Sequence, residues 1–259
     1  MKAAEMFNLT DRVALVTGAS SGLGQQFARA LADNGAAVAL VARRTDRLLD
    51  LQQEIEATGA KAIAIEADVT DRAAMLAAFD AAEKAFGTVT ILVNNAGVAQ
   101  QPLRATDVTP EEWRRVLSVD LDAVFFWAQE GARRMIAAKK PGAIVNIASV
   151  LGFGVAKGTA AYAVAKAAVV QTTKALSLEL AFKGVRVNAI APGWFVTEIN
   201  DTYLNSEAGE AMKRDIPIGR FGNSGDLDGA LLLLASNAGA YMTGATVVVD
   251  GGQVVQLKG

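Results

Sequence analysis

Tyr162 and Lys166 stand four residues apart in the alanine-rich stretch TAAYAVAKAA, in a chain that contains no histidine and no cysteine. On a helix such a pair lies on one face, one turn apart. An ammonium beside a phenol favours the phenolate. At about 4 Å and an effective dielectric of about 20, the attraction is roughly 4 kcal/mol before desolvation costs. The pair is therefore suited to moving a proton near neutral pH without histidine. The competing reading is an ordinary tyrosine with a lysine on a solvated helix face. A second constellation is TGASSGLG, where Gly18, Gly22 and Gly24 directly follow the apolar run RVALVT. Glycines there permit a tight strand-to-helix turn and let backbone approach a pyrophosphate at the helix N-terminus. The spacing is G-x-x-x-G-x-G, and a tight turn without a ligand remains the alternative. Without cysteine there is no disulfide and no thiolate metal site. Without histidine, and with no carboxylate cluster to replace it, no metal site is expected.

These residues need a scaffold, and the chain supplies a regular one. Short β-branched runs at 12–17, 36–42, 61–66, 89–94, 142–148, 185–191 and 245–250 alternate with longer amphipathic stretches. The first six are nearly continuous apolar runs, the pattern of strands covered on both faces. Long helices are expected over 110–138 and 159–182. The first opens at TPEEW, with Thr109 as N-cap, Pro110 at N1 and Glu112 completing a capping box. Alternation of this kind predicts an α/β fold, a doubly wound parallel sheet of about seven strands with helices on both faces. No linker rich in Gly, Pro or Ser divides the 259 residues, so one domain over 1–259 is expected. A net charge of −2 points to neither nucleic acid nor an anionic membrane surface. The start MKAAEMFNLTDR has no apolar leader core and no apolar run reaches membrane-spanning length, which makes a cytoplasmic protein the expectation.

TGASSGLG, NNAG (94–97), Ser149, YAVAK (162–166) and PGWFVT (192–197) occur in this order along the chain. The sequence thereby resembles the short-chain dehydrogenase/reductases from DRVALVTG to VVVDGG. The resemblance implies a Rossmann-like domain and reversible hydride transfer between a carbonyl and an alcohol with a nicotinamide dinucleotide. It casts Tyr162 as acid/base, Lys166 as the group that activates it and holds the nicotinamide ribose, and Ser149 as the holder of the substrate oxygen. Ser149 closes the strand run GAIVNIAS, and so would stand at the carboxyl edge of the sheet, where ligands of this architecture bind. Capping of nearby backbone is its alternative role. By the same resemblance Gly18, Ser20, Ser21, Gly22, Leu23 and Gly24 contact the cofactor, as do Asp68 and Val69 near the adenine. Asn94, Ala96 and Gly97 line the crevice, with bracing of the sheet as a competing role for Asn94. Pro192, Gly193, Phe195 and Thr197 belong to the loop that receives the carboxamide, although Thr197 could instead cap the segment after it.

An acid at the end of the second strand would bind a ribose 2′-hydroxyl. Here Ala42 is followed by Arg43 and Arg44, and guanidinium groups suit a 2′-phosphate. NADP(H) is therefore expected over NAD(H). The chain departs from the family in SVDLDAVFF, where Asp120 takes the place of an asparagine that holds a water of the proton relay in many members. That departure leaves open a second reading, a catalytically weak dinucleotide-binding sensor or scaffold. Gln100, Gln101, residues 150–153 and a lid over 194–215 would shape the substrate pocket. Trp194, Phe195, Tyr203, Leu204 and Met212 make the lid largely apolar, unless they simply pack on the body. The chain resembles members described broadly as 3-oxoacyl thioester reductases or sugar-acid dehydrogenases. Excess apolar residues on the two long helices, AVFFWA (123–128) among them, together with the family's habit, suggest a homotetramer.

Overall fold

The computed structural model describes residues 2–196, 204 and 206–255. Seven strands form one sheet: β1 (Val13–Thr17), β2 (Ala37–Ala42), β3 (Ala62–Glu66), β4 (Ile91–Asn94), β5 (Gly142–Ile147), β6 (Val185–Pro192) and β7 (Thr246–Val249). Their spatial order is β3-β2-β1-β4-β5-β6-β7 and every pairing is parallel. The order reverses between β1 and β4. That switch point opens a crevice beyond the carboxyl ends of the strands, because the crossovers leave β1 and β4 in opposite directions.

The helices are α1 (Ala3–Met6), α2 (Gly22–Asp33), α3 (Thr45–Ala57), α4 (Arg72–Phe86), α5 (Pro110–Leu117), α6 (Ala123–Ala137), α7 (Ala160–Leu180), α8 (Glu207–Arg214) and α9 (Asp228–Ala235). Each central strand feeds two cores, since successive side chains point to opposite faces. Ala14, Val16, Val38 and Leu40 pack with Phe27 and Leu31 of α2, Leu48 and Leu51 of α3, and Leu231 and Leu234 of α9. Leu15, Val41, Leu92 and Ile144 pack with Met75 and Phe79 of α4 and Trp127 and Met135 of α6. This two-sided burial is why the strands read as unbroken apolar runs.

Two local expectations change. The helix expected over 110–138 is interrupted, because Ser118–Asp122 winds as a π-helical turn between α5 and α6. The capping box at Thr109 is only half formed. Thr109 Oγ1 accepts the Glu112 N–H at 3.2 Å, but the Glu112 carboxylate turns to Arg115 at 2.7 and 2.8 Å. A charge-assisted bidentate pair outcompetes one neutral N–H. Among the described residues no helix is long and apolar enough to cross a membrane.

Candidate active site

The sheet switch point is built first by backbone. Gly18 has φ +68°, and a Cβ there would come within 2.8 Å of the Ala96 Cα. A Cβ on Gly24 would overlap the Gly18 carbonyl oxygen. The turn after β1 and the segment after β4 thus approach closely, with the Asn95 side chain packed between the two glycines. Thr17 Oγ1 accepts the N–H groups of Asn95 and Ala96, both at 3.0 Å. Asn95 Nδ2 donates to the Thr17 and Gly18 carbonyls at 2.9 and 3.3 Å. Thr17 and Asn95 therefore brace the glycine turn, which their residue types alone do not announce. Asn95 was visible within NNAG, but nothing in the tetrapeptide says which asparagine turns toward the glycines. Asn94 turns the other way. Its Nδ2 donates to the Val124 carbonyl at 3.2 Å and to Asn146 Oδ1 at 3.0 Å, and Asn146 in turn donates to Thr173. Its side chain braces β4 and β5 against α6 and α7.

The first turn of α2 carries N–H groups without intrahelical partners. Ser21 is its N-cap and makes no side-chain capping bond. Its hydroxyl lies 2.6 Å from Arg44 Nη2, and Ser20 Oγ accepts from Arg44 Nε and Nη2 at 3.2 and 3.0 Å. Arg44 thereby ties the end of β2 to the glycine turn. Arg43 is free in comparison, with its side chain 73% exposed and 3.9 Å from Asp68. Asp68 accepts from the N–H and hydroxyl of Thr70 at 2.9 and 2.7 Å. Those bonds first, and the Arg43 charge after them, hold its carboxyl below the usual range. The Val69 carbonyl accepts from Trp127 Nε1 at 3.0 Å. Leu23 packs against the core beside α2. On the opposite rim Pro192 ends β6 beside Val249. Gly193 donates its N–H to the Val249 carbonyl at 2.9 Å. Phe195 is buried and bridges to Gly222. Thr197 and Tyr203 lie outside the described residues.

Ser149 follows β5 as N-cap of a short 3₁₀ turn, Val150–Gly152, where its Oγ accepts the Leu151 N–H at 3.1 Å. The capping alternative is therefore realised, yet the hydroxyl keeps its own hydrogen to donate. The turn abuts α7 closely: a Cβ on Gly152 would sit 2.9 Å from the Lys166 carbonyl oxygen. Tyr162 lies in the first turn of α7, whose N-cap Thr159 makes no capping bond. Gln100 takes over that task from a distant loop, its Oε1 accepting the Tyr162 N–H at 3.1 Å. One turn on, Lys166 is 4% exposed. Its Nζ stands 5.4 Å from the centre of the Tyr162 ring, donates to the Ile147 carbonyl at 3.1 Å, and pairs with Asp120 Oδ1 at 3.0 Å. Burial opposes the Lys166 charge, but the Asp120 carboxylate, with a smaller contribution from Tyr162, offsets it and holds the ammonium above the ordinary lysine range.

Part of the substrate side lies among the described residues. Leu204, Ile216 and Phe221 form a buried cluster that Trp194, Val196 and Met212 cover. The apolar residues expected to line the lid thus pack largely on one another. A hollow of about 910 Å³ runs along 102–105, 151–158 and the α7 residues Ala160, Ala163, Val164 and Ala167. Neither Tyr162 nor Lys166 lines it, so it sits on a different face of α7 from the reactive pair. Among the described residues no group of acidic side chains could hold a metal ion.

A family model described as enoyl-(acyl carrier protein) reductase matches residues 18–253, which takes in the glycine turn, Ser149, Tyr162 and Lys166. The chain is a short-chain dehydrogenase/reductase. Members of this family are oxidoreductases that interconvert carbonyls and alcohols with a nicotinamide dinucleotide, and this chain is one of them. The dehydrogenase is 42% identical to galactitol 2-dehydrogenase (L-tagatose-forming) of Cereibacter sphaeroides, over 96% of this chain and 98% of that protein. It is 37% identical to gluconate 5-dehydrogenase of Gluconobacter oxydans, over 98% of each. Among solved structures it resembles gluconate 5-dehydrogenase from Burkholderia cenocepacia in complex with NADP and tartrate. The TM-score is 0.93 at 36% identity, with 99% of this chain and all of that one covered.

Proposed function

We propose that this short-chain dehydrogenase/reductase reduces a ketone, or oxidises the corresponding secondary alcohol, with NADP(H), using Tyr162 as acid/base. The observation that carries the reading is the buried, charged Lys166 one turn from Tyr162, on the helix that abuts the Ser149 turn. The residues at the switch point fit a dinucleotide. The cradle between Gly18, Gly24 and Ala96 has no room for a Cβ, and the start of α2 presents N–H groups suited to a pyrophosphate. Ser20, Ser21, Gly22 and Leu23 frame that turn. Arg43 would take the 2′-phosphate, Arg44 would hold the glycine turn beside it, Asp68 and Val69 would take the adenine side, Ala96 and Gly97 the floor, and Pro192, Gly193 and Phe195 the carboxamide rim. The bound dinucleotide supplies the hydride acceptor or donor.

The chain's own groups handle the oxygen and its proton. Ser149 donates its hydroxyl hydrogen to the substrate oxygen and fixes it beside Tyr162. Tyr162 gives a proton to that oxygen in reduction and takes it in oxidation, the usual work of a general acid/base. The Lys166 ammonium stabilises the phenolate left behind, and an N–H not given to the Ile147 carbonyl is available to the ribose. Tyr162 backbone is itself held by Gln100, so the ring's position depends on the loop after β4. A non-catalytic sensor is the weaker reading, since Ser149, Tyr162 and Lys166 are all present. We further place the enzyme in the cytoplasm, where its cofactor is found, as a homotetramer and one domain over 1–259.

The test is a panel with NADPH absorbance as readout, spanning polyols and aldonic acids, which the names of two relatives carry, and a 3-oxoacyl thioester. Turnover of a carbonyl or alcohol with NADP(H) supports the reading. Turnover only with NAD(H), or none across all three classes, contradicts it.

A further inference from the structure

The π-helical turn Ser118–Asp122 has a buried acid at its centre. Asp120 is 0% exposed. Its Oδ2 accepts the Val98 N–H at 3.1 Å, and its Oδ1 lies 3.0 Å from Lys166 Nζ. Oδ1 takes no well-directed hydrogen bond, so the approach is an ion pair. No water fits between the two groups at that distance. The pair needs the absence of a side chain beside it: a Cβ on Gly97 would fall 2.8 Å from Asp120 Oδ1 and 3.7 Å from Lys166 Nζ. π-Helical turns inside α-helices are frequent at functional sites. Here the acid at the centre of the turn meets the lysine of the reactive pair.

We propose that Asp120 is the counter-ion of Lys166, a positioning residue that fixes the ammonium beside Tyr162 and cancels part of its field, so that the site favours the neutral phenol that carbonyl reduction requires. The inference rests on the reading of Tyr162 as acid/base. An ammonium near a phenol favours its ionisation, and a carboxylate near it opposes ionisation. In a buried pair both act through low dielectric, and neither is screened by salt. The other groups acting here are few. Tyr162 faces Lys166 from its own helix. Arg115 of α5 feels Asp120 but is engaged with Glu112 and the Ala99 carbonyl. Among the described residues the remaining hydrogen-bond partners are backbone, the Ile147 carbonyl at Lys166 and the Val98 N–H at Asp120. One ammonium hydrogen is thus committed to the Ile147 carbonyl before any ligand arrives, and the Asp120 contact is electrostatic.

The exchange Asp120→Asn removes the charge and keeps the shape. Tyrosinate absorbance reads Tyr162 directly, because the chain has only three tyrosines and a matched Tyr162→Phe protein gives the difference. The expected result is that Tyr162 in Asp120→Asn ionises at a pH lower by about one unit than in the wild type. Superimposable titrations, or a displacement to higher pH, would overturn the proposal. Should Asp120→Asn fail to fold, the wild type decides through the ¹⁵N signal of Lys166 Nζ, assigned with Lys166→Arg. A signal that stays that of an ammonium above the ordinary lysine range is expected; deprotonation below that range would overturn the counter-ion role. Neither readout uses turnover, so failure of the catalytic reading, seen as unimpaired activity of Tyr162→Phe, is distinguishable from failure here.

Discussion

Arg43 and Arg44 follow the last residue of β2, and they do different things. Arg44 is spent on Ser20 and Ser21 and so holds the glycine turn, whereas Arg43 projects toward solvent with only a loose contact to Asp68. Loss of Arg43 should therefore be felt mainly by the cofactor that carries a 2′-phosphate. A hydrogen bond to a charged group is worth about 1.5–3 kcal/mol. Arg43→Ala should accordingly weaken NADPH by roughly 10- to 100-fold more than NADH. Arg44→Ala should weaken both, because the pyrophosphate turn loosens with it. Titration of the two cofactors by fluorescence checks this, and equal losses for both in Arg43→Ala would exclude it as the phosphate ligand. The division of labour between the arginines was not legible from RRTDR, since both guanidinium groups suit a phosphate and only the fold decides which one meets the serines. Asn94 and Asn95 teach the same point: adjacent side chains of an extended segment point in opposite directions, so one braces and one serves the turn.

At the scale of elements, the strands were readable because two-sided burial leaves its mark on every residue of β1, β4 and β5. The π-helical turn was not. SVDLD contains no glycine or proline, and the apolar periodicity runs through it without a break. The turn carries Asp120 against the buried Lys166, a tertiary contact that local propensity does not register. The other half of that long segment is anchored by Trp127, which is buried against Phe79 with ring centres 5.5 Å apart and donates to the Val69 carbonyl. Trp127→Ala should cost about 3–5 kcal/mol, the range for removing a large aromatic from a core. Denaturant unfolding checks this. A loss under about 1 kcal/mol would mean that α6 is held by something else. With Val69 on the adenine side, as proposed, the same exchange should also weaken dinucleotide binding.

For the whole molecule, one surface is left unusually apolar. Leu178 and Phe182 are 83% and 78% exposed near the end of α7, and Phe126, Val164, Phe153 and Val155 add to the apolar surface of α6, α7 and the loop before α7. The hollow of about 910 Å³ opens on that loop and the adjoining face of α7. Exposed apolar area of this kind marks an association surface, and a patch that pairs with itself closes about a two-fold axis. The expectation of excess apolar residues on these helices came from sequence; that they miss the sheet came only from the fold. Light scattering should report a tetramer at micromolar concentration, and Leu178→Glu with Phe182→Glu should shift it to smaller species. A wild-type monomer would contradict the assembly.

The chemistry proposed for this enzyme turns on one proton. Tyr162→Phe keeps the ring and its packing and removes only the hydroxyl. Single-turnover rates with NADPH and the best carbonyl of the panel, measured beside the dissociation constant of NADPH, test the claim most directly. The expected result is a cofactor affinity close to that of the wild type and a chemical step slowed by about 10²-fold or more. A variant that binds NADPH and turns over at close to the wild-type rate would contradict the role of Tyr162 as acid/base.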